Sequence, residues 1–327
     1  MSYANAKSLP RNNCPGTGTG EVATLSAFTN EITNQQTFSA SEPASSKARE
    51  RRHGGTISSE RNAAGDKMQM QVQPPDFRKL GCGECIRGAD LDFEFSMAFQ
   101  PIINTSTRKI FAHEALVRGP NGESAGSVFE LVNPDNQYRF DQCCRVKAIE
   151  LAARLGVEEY LSINFMPNAV YNPELCIRTT LAAADKWGFP IERIIFEITE
   201  GEKITDLPHL KNIIDHYQTI GFKTAIDDFG AGFAGLNLLA DFRTDIVKLD
   251  MALVRDIDGS PSRRAIIRGI MGVAQELSMQ VIAEGVETIT EWKCLEDLGV
   301  EYFQGFLFAR PSFESLAEVT IPETTSS

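Results

Sequence analysis

The sequence is poor in the features that would tie it to a membrane, an oxidising compartment or a nucleic-acid polymer. None of its apolar runs in 327 residues reaches the roughly 18 needed to span a bilayer. The N-terminus lacks the basic start, apolar core and cleavage site of a secretory signal, so no targeting step is expected. The seven cysteines (Cys14, Cys82, Cys85, Cys143, Cys144, Cys176 and Cys294) are odd in number and irregular in spacing. That argues against a disulfide framework and for a reducing, cytoplasmic setting. A basic excess is also absent. The net charge is −12, which disfavours broad binding to nucleic-acid polymers or anionic membranes. Histidine is scarce at four residues, which disfavours a His/Cys zinc centre. His53 falls in a polar tail, His209 and His216 on an expected helix, and His113 on the strand face opposite Glu114.

Apolar residues (42%) and charged residues (23%) are in the proportions of a soluble globular protein. Residues 1–77 read as a disordered, low-complexity tail, typified by TNEITNQQTFSASEPASSKARERRHGG. Residues 78–90 form a linker carrying CGEC, and a lone CxxC is read as idle thiols rather than zinc. A folded domain is expected over 91–320, and 321–327 read as a disordered C-terminus. The tail is a candidate docking segment for a regulatory protein.

Within 91–320, short apolar segments alternate with segments of helical period. FEFSMAFQPI reads as a strand stopped by its proline, and KIFAHEALV as a second strand. The strands LSINF, IIFEIT, TAIDDF, DIVKLD, QVIAEGV and YFQGFLFA follow, with helices between most of them. Helix stops fall at glycines, Asp206 precedes a Pro-containing helix start, and a short helix is expected near Phe313–Val319. Eight strands in βα alternation predict an α/β fold of the (β/α)8 TIM-barrel type. The open doubly wound sheet is the rival, but no GxGxxG follows the first strand.

Nearly every apolar segment ends in an acid, an amide or a lysine: Glu114, Asn164, Glu197, Asp227 with Asp228, Lys248 with Asp250, Glu284 and Gln304. Singly, such residues are most often helix caps or solvated loop residues. Barrel closure brings the C-terminal strand ends onto one face, and there the same residues form one oxygen-rich site. Hard oxygen ligands favour Mg2+, Mn2+ or Ca2+ over zinc. The adjacent Asp227 and Asp228 can serve two neighbouring cations, and burying both needs a compensating charge.

These motifs together resemble the EAL-domain family of cyclic di-GMP phosphodiesterases, whose name-giving triplet stands here as Glu114-Ala115-Leu116 within EALVRG. The resemblance covers roughly Phe93 to Leu316. LSINFMPNAVY, TAIDDFGAG and FLFARP are similar to the EAL domains attached to blue-light (BLUF) sensors, although neither a BLUF domain nor a GGDEF-like motif is visible. In EAL domains the first strand can run antiparallel. The resemblance implies that Glu114, Asn164, Glu197 and Asp227 ligate one cation, and that Asp227 bridges to a second held by Asp228. It implies Glu284, Lys248 and Glu114 as catalytic residues, with Glu284 orienting or deprotonating the attacking water and Lys248 contacting that water or the developing charge. It implies Arg118 and Gln100 as substrate-binding residues, and Glu200, Asp250, Glu287 and Gln304 as supporting ones.

The implied cofactors are two divalent cations, Mg2+ or Mn2+, with Ca2+ inhibitory. The implied reaction is hydrolysis of cyclic di-GMP to linear pGpG, by a homodimer with Gly230 to Phe242 near its interface. The family's usual Gly-Tyr-Ser-Ser after the paired aspartates reads Gly232-Phe233-Ala234-Gly235 here, a change that removes hydroxyls and no metal ligand. Two alternatives stand beside the enzyme: a catalytically silent cyclic di-GMP receptor, and an EAL-like protein-interaction module.

Overall fold

The computed structural model describes residues 91–167, 170, 172–199, 206–231, 235–241 and 243–323. The tail at 1–77, the CGEC linker, Glu200, Gly232, Phe233, Ala234, Phe242 and residues 324–327 lie outside the described residues.

The strands are β1 (Ser96–Asn104), β2 (Lys109–Arg118), β3 (Tyr160–Asn164), β4 (Ile194–Thr199), β5 (Lys223–Phe229), β6 (Ile246–Leu249), β7 (Gln280–Ala283), β8 (Tyr302–Phe303) and β9 (Ser312–Phe313). Strands β2 to β8 pair in sequence order and in parallel, and β1 closes the ring between β8 and β2. β1 is antiparallel to both neighbours. The cause is local. Only the turn at 105–108 separates β1 from β2, too short for a parallel crossover. Asn104 Oδ1 ties that turn by accepting from Thr107 N at 2.8 Å and from Thr107 Oγ1 at 3.1 Å. Arg108 takes the left-handed conformation that completes it.

The helices are α1 (Ala125–Phe129), α2 (Gln137–Arg154), α3 (Pro173–Cys176), α4 (Arg178–Trp187), α5 (Leu207–Ile220), α6 (Gly235–Asp241), α7 (Met251–Val254), α8 (Pro261–Glu276) and α9 (Ile289–Asp297). Asp206 caps α5 by accepting from His209 N, and Gly188 and Gly221 end α4 and α5 in the left-handed conformation. Outward strand side chains pack against this layer, with Phe196, Tyr217 and Phe222 as one aromatic cluster.

Three details depart from the sequence reading. β1 does not stop at Pro101 but runs through it to Asn104. On the far side of β1, pairing with β9 ends at Phe99 and pairing with β8 begins at Ile103, so Pro101 stands where no ladder bond is asked of it. The segment YFQGFLFA contributes only Tyr302–Phe303 as strand, because the chain turns back at Gly305, whose backbone lies against that of Val286. In place of a helix near Phe313–Val319, the chain makes β9 and then irregular structure, returning to the barrel through Thr320 N, which donates to Phe308 O at 3.0 Å.

Inside the barrel, alternation produces two storeys. The lower one is apolar: Ile102, Ala112, Ile195, Ala225, Ile246 and Ile282. Two residues further along the same inward face stand Gln100, Glu114, Glu197, Asp227, Lys248 and Glu284. The turn that carries the last strand into this storey admits only glycine, since a Cβ on Gly305 would overlap the Val286 backbone. Gly305→Ala is therefore expected to destabilise the fold by about 1–3 kcal/mol. Urea denaturation would measure it, and wild-type stability in the variant would contradict the close approach.

Candidate metal centre at the barrel mouth

The polar storey is organised around the Lys248 ammonium, which is fully buried at the end of β6. Lys248 Nζ lies 2.7 Å from Glu284, 2.9 Å from Glu197, 2.9 Å from Asp227 and 3.5 Å from Glu114. These are ion pairs by distance, and none has the angles of a hydrogen bond. Burial opposes the lysine charge, but Asp227, Glu114, Glu197 and Glu284 outweigh it and hold the Lys248 pKa well above its ordinary range.

One ammonium does not neutralise its surroundings. Glu114, Glu197 and Asp227 each bring a carboxylate oxygen within 4.8 Å of the others, and so do Asp227, Asp228 and Glu284. Asp227 is common to both groups. Burial pushes Glu197 and Glu284 well above the usual carboxylate range, and Lys248 only partly offsets it. Burial, with Asp227 next, raises Asp228 to about 8. Glu114 goes the other way. Burial would raise it, but Lys248 and hydrogen bonds from Gln304 and Asn164 hold it below its ordinary value. The site thus holds more acid than its own cation can balance.

Asp228 reaches the site through a local irregularity. In a regular strand, Asp227 and Asp228 would point to opposite faces. The β5–β6 register breaks between Ile226 and Phe229, and Asp228 takes a left-handed φ of 53°. This bulge turns a second carboxylate towards the mouth, and aspartate tolerates that conformation better than most residues.

Amides and a hydroxyl complete the set. Asn164 Nδ2 donates to Glu114 Oε1 at 3.0 Å, and Gln304 Nε2 donates to Glu114 Oε2 at 2.7 Å and to Gln100 Oε1 at 3.3 Å. Ser162 Oγ donates to Glu197 Oε1 at 2.5 Å. The sequence reading passed over Ser162, although its place two residues before Asn164 on β3 marks it as inward-facing. Besides Asp227 Oδ1, which faces the Lys248 ammonium, four buried oxygens of the site are left without a hydrogen-bond partner: Asn164 Oδ1, Glu197 Oε2, Asp228 Oδ2 and Gln304 Oε1. Buried acceptors are rarely left so, and all four are hard donors, so the residues fit divalent cations.

The structure brings together Gln100, Glu114, Asn164, Glu197, Asp227, Asp228, Lys248, Glu284 and Gln304. Arg118 ends β2, half-buried, donating to Val117 O at 2.7 Å and lying close enough to Glu114 to feel its charge. Asp250 caps α7 by accepting from Ala252 N and adds to the negative field at Asp228. Glu287 stands apart, its two oxygens paired with Arg255 at 2.8 Å each. His113 is buried on the outer face near Glu159, away from the cluster.

The match to known proteins has the same extent as this barrel: the EAL-domain model covers residues 87–311. The chain belongs to the EAL-domain family. A standalone versatile EAL protein from Vibrio cholerae O395, solved in its c-di-GMP-bound form, is 56% identical with a TM-score of 0.69, over 71% of this chain and 98% of that one. Klebsiella pneumoniae BlrP1, solved as a manganese/cy-diGMP complex, is 36% identical with a TM-score of 0.64, over 69% of this chain and 57% of that one. Among curated relatives, the blue light- and temperature-regulated antirepressor BluF of Escherichia coli K12 is 34% identical over 69% of this chain and 56% of its own length. The cyclic di-GMP phosphodiesterase PdeR of the same organism is 42% identical over 35% of this chain and 17% of its length. The chain thus spans little more than half of these curated relatives, or less. EAL relatives therefore include both a protein named as a phosphodiesterase and one named as an antirepressor.

The acid excess sets a pH dependence for the metal-free protein. Asp228 has its folded pKa raised to about 8 from 3.8, so the folded state binds more protons than the unfolded one between those values. Its contribution to stability is full below about pH 4 and is lost as pH rises through about 8. The unfolding temperature in chelator should fall across that window, and added Mn2+ should raise it more at pH 8 than at pH 5. Asp228→Asn should flatten the metal-free profile. A metal-free profile that rises from pH 5 to 8 would contradict the electrostatics.

Proposed function

We propose that the chain is a metal-dependent phosphodiesterase that hydrolyses cyclic di-GMP to linear pGpG. The observation that carries this reading is the group of five carboxylates around one buried ammonium, four of them buried and Glu284 half-buried, with several buried oxygens left without hydrogen-bond partners. On this reading, Glu114, Asn164, Glu197 and Asp227 hold one divalent cation, and Asp227 and Asp228 hold a second, each Mg2+ or Mn2+. Bound cations supply positive charge that acidifies a water and stabilises negative charge developing on the phosphate.

The chain's own groups divide the remaining work. Glu284, its pKa raised by burial and by Asp227, is a stronger proton acceptor than an ordinary carboxylate and suits the role of base. Lys248, 2.7 Å from it, fixes that carboxylate and offers its ammonium to the attacking water and the developing charge. Arg118 grips a substrate phosphate, and Gln100 meets the substrate from the antiparallel strand. Gln304 holds Glu114 in place, Asp250 secures the end of β6 through α7, and Glu287 is a supporting residue near the second cation; Glu200, outside the described residues, is assigned to holding the loop after the fifth strand by the family resemblance alone. The water oxygen bonds to phosphorus as the P–O3′ bond breaks; the leaving 3′ oxygen takes a proton from solvent to become a hydroxyl, and the proton held by Glu284 returns to solvent.

A homodimer pairing through residues 230–242 goes with this reading. Leu236, within that segment, is 62% exposed and gives the pairing an apolar contact. A cytoplasmic location also goes with it, and no helix among the described residues is long and apolar enough to cross a membrane.

Purified protein with Mg2+ or Mn2+ should convert cyclic di-GMP to pGpG, followed by chromatography of the products. Glu284→Gln should lower kcat by about 10^2- to 10^4-fold. Glu114→Ala should abolish turnover. Ca2+ alone should support little of it, because its looser coordination does not reproduce the octahedral geometry of Mg2+. Tight binding without turnover would support a silent receptor. Neither binding nor turnover would support an interaction module, a role in keeping with the antirepressor relative.

A further inference from the structure

A second buried charged group lies behind the barrel wall that carries Asn164 and Glu197. These two residues are register partners on β3 and β4, and alternation sends their neighbours Phe165 and Phe196 outward. There the two rings meet each other at 5.4 Å and meet Tyr217 of α5 at 5.8 and 5.1 Å. Beside this cluster, Arg145 and Asp141, one turn apart on α2, form an ion pair with Nη2 2.6 Å from Oδ2. Their exposures are 1% and 4%. Arg145 Nη1 also donates to Thr180 Oγ1 of α4 at 3.3 Å, and its charge acts on the Tyr217 hydroxyl. The other Asp141 oxygen, Oδ1, accepts from the backbone N–H of Met166 at 3.0 Å. Met166 is two residues beyond Asn164.

A buried ion pair seldom stabilises a fold more than an apolar pair of the same size. What this one supplies is direction. The guanidinium, tied to Thr180, keeps the Asp141 carboxylate from turning, so Oδ1 stays on the Met166 amide. The next amide back, Phe165 N, donates to Glu197 O at 3.1 Å. The chain leaving β3 is therefore held at two successive amides, one by the neighbouring strand and one by the helix layer. Asn164 sits immediately before both. Its Nδ2 is on Glu114, one of the acids of the site, and its Oδ1 is buried with no hydrogen-bond partner.

We propose that Asp141, braced by Arg145, is a positioning residue: through the Met166 amide it fixes the exit of β3 and so aims Asn164 Oδ1 at a divalent cation. The inference rests on the reading that this site binds such cations. Neither residue touches the site, and their effect would be exerted from outside the barrel wall.

The test compares the full chain with two double variants that remove both buried charges together. Asp141→Asn with Arg145→Met keeps an oxygen acceptor for the Met166 N–H, and Asp141→Leu with Arg145→Met does not. Mn2+ affinity is read by calorimetry without substrate. The side-chain amide signals of Asn164 are read by NMR in the metal-free protein, alongside unfolding temperature. The Leu/Met pair should bind Mn2+ about 10-fold more weakly and show displaced Asn164 signals. The Asn/Met pair should restore both readouts most of the way. Arg145→Lys, which keeps the charge but not the two-point guanidinium grip, should lose less than the Leu/Met pair and remains informative should that pair fold poorly.

Wild-type Mn2+ affinity and unmoved Asn164 signals in the Leu/Met pair, or in its place in Arg145→Lys, would overturn the proposal. Equal losses in both double variants would overturn it too, since the acceptor would then be irrelevant. If the wild-type chain itself binds no Mn2+, the cation reading fails and the aim at a cation fails with it. The metal-free Asn164 signals then separate that failure from a failure of the positioning itself.

Discussion

The structure depends on one ammonium confined among carboxylates. Lys248 is fully buried, and four acids lie within ion-pair distance of it. Removing a single charge from water costs several kcal/mol even after relaxation, so such a group persists only when charges of the other sign surround it. Here the balance is overshot. Five carboxylates face one cation of the protein's own, and burial raises the pKa of Glu197, Asp228 and Glu284. A barrel is suited to this because its parallel strands deliver their ends to one face, while the layer of isoleucine and alanine below provides a dry, close-packed floor.

The departures from barrel regularity occur where the site needs them. The antiparallel β1 presents Gln100 to Gln304 from a chain running the other way. The bulge at Asp228 brings a second aspartate to a face that alternation alone would deny it. Gly305 lets the last strand end early, so that Gln304 meets Glu114 and the chain folds back over Val286. Each is a local cost in pairing or conformational freedom, set against a polar contact inside the mouth.

Much of this was legible in the sequence because two periodicities coincide. The strand alternation that sends Ile195, Ala225, Ile246 and Ile282 inward also sends Glu197, Asp227, Lys248 and Glu284 inward two residues later. An apolar residue followed at i+2 by an acid or lysine is therefore a readable sign of a two-storey barrel. What failed were judgements about strand ends. Pro101 looked like a stop because the gap in β1's outer pairing is a tertiary fact, and YFQGFLFA looked like a long strand because its composition hides the collision that Gly305 avoids. Ser162 was missed because its partner, Glu197, lies on the next strand. The Asp141–Arg145 pair was missed because a helical Asp and Arg four apart read as a surface pair, and only packing shows both to be buried.

The charge balance also weighs the competing functions. A receptor for a doubly charged phosphodiester would be expected to line its pocket with cations, and an interaction module needs no charge inside its barrel at all. Four buried acids and the half-buried Glu284 repel such a ligand and burden the fold, and neither role gives them employment. Divalent cations would remove both difficulties together. They would neutralise the acids and turn a negative pocket into one that attracts a phosphate. The buried oxygens without hydrogen-bond partners would then have a cation to ligate, and the excess negative charge around Lys248 would be balanced. Of the three roles, hydrolysis is the one in which the acid cluster has a task that can offset its cost.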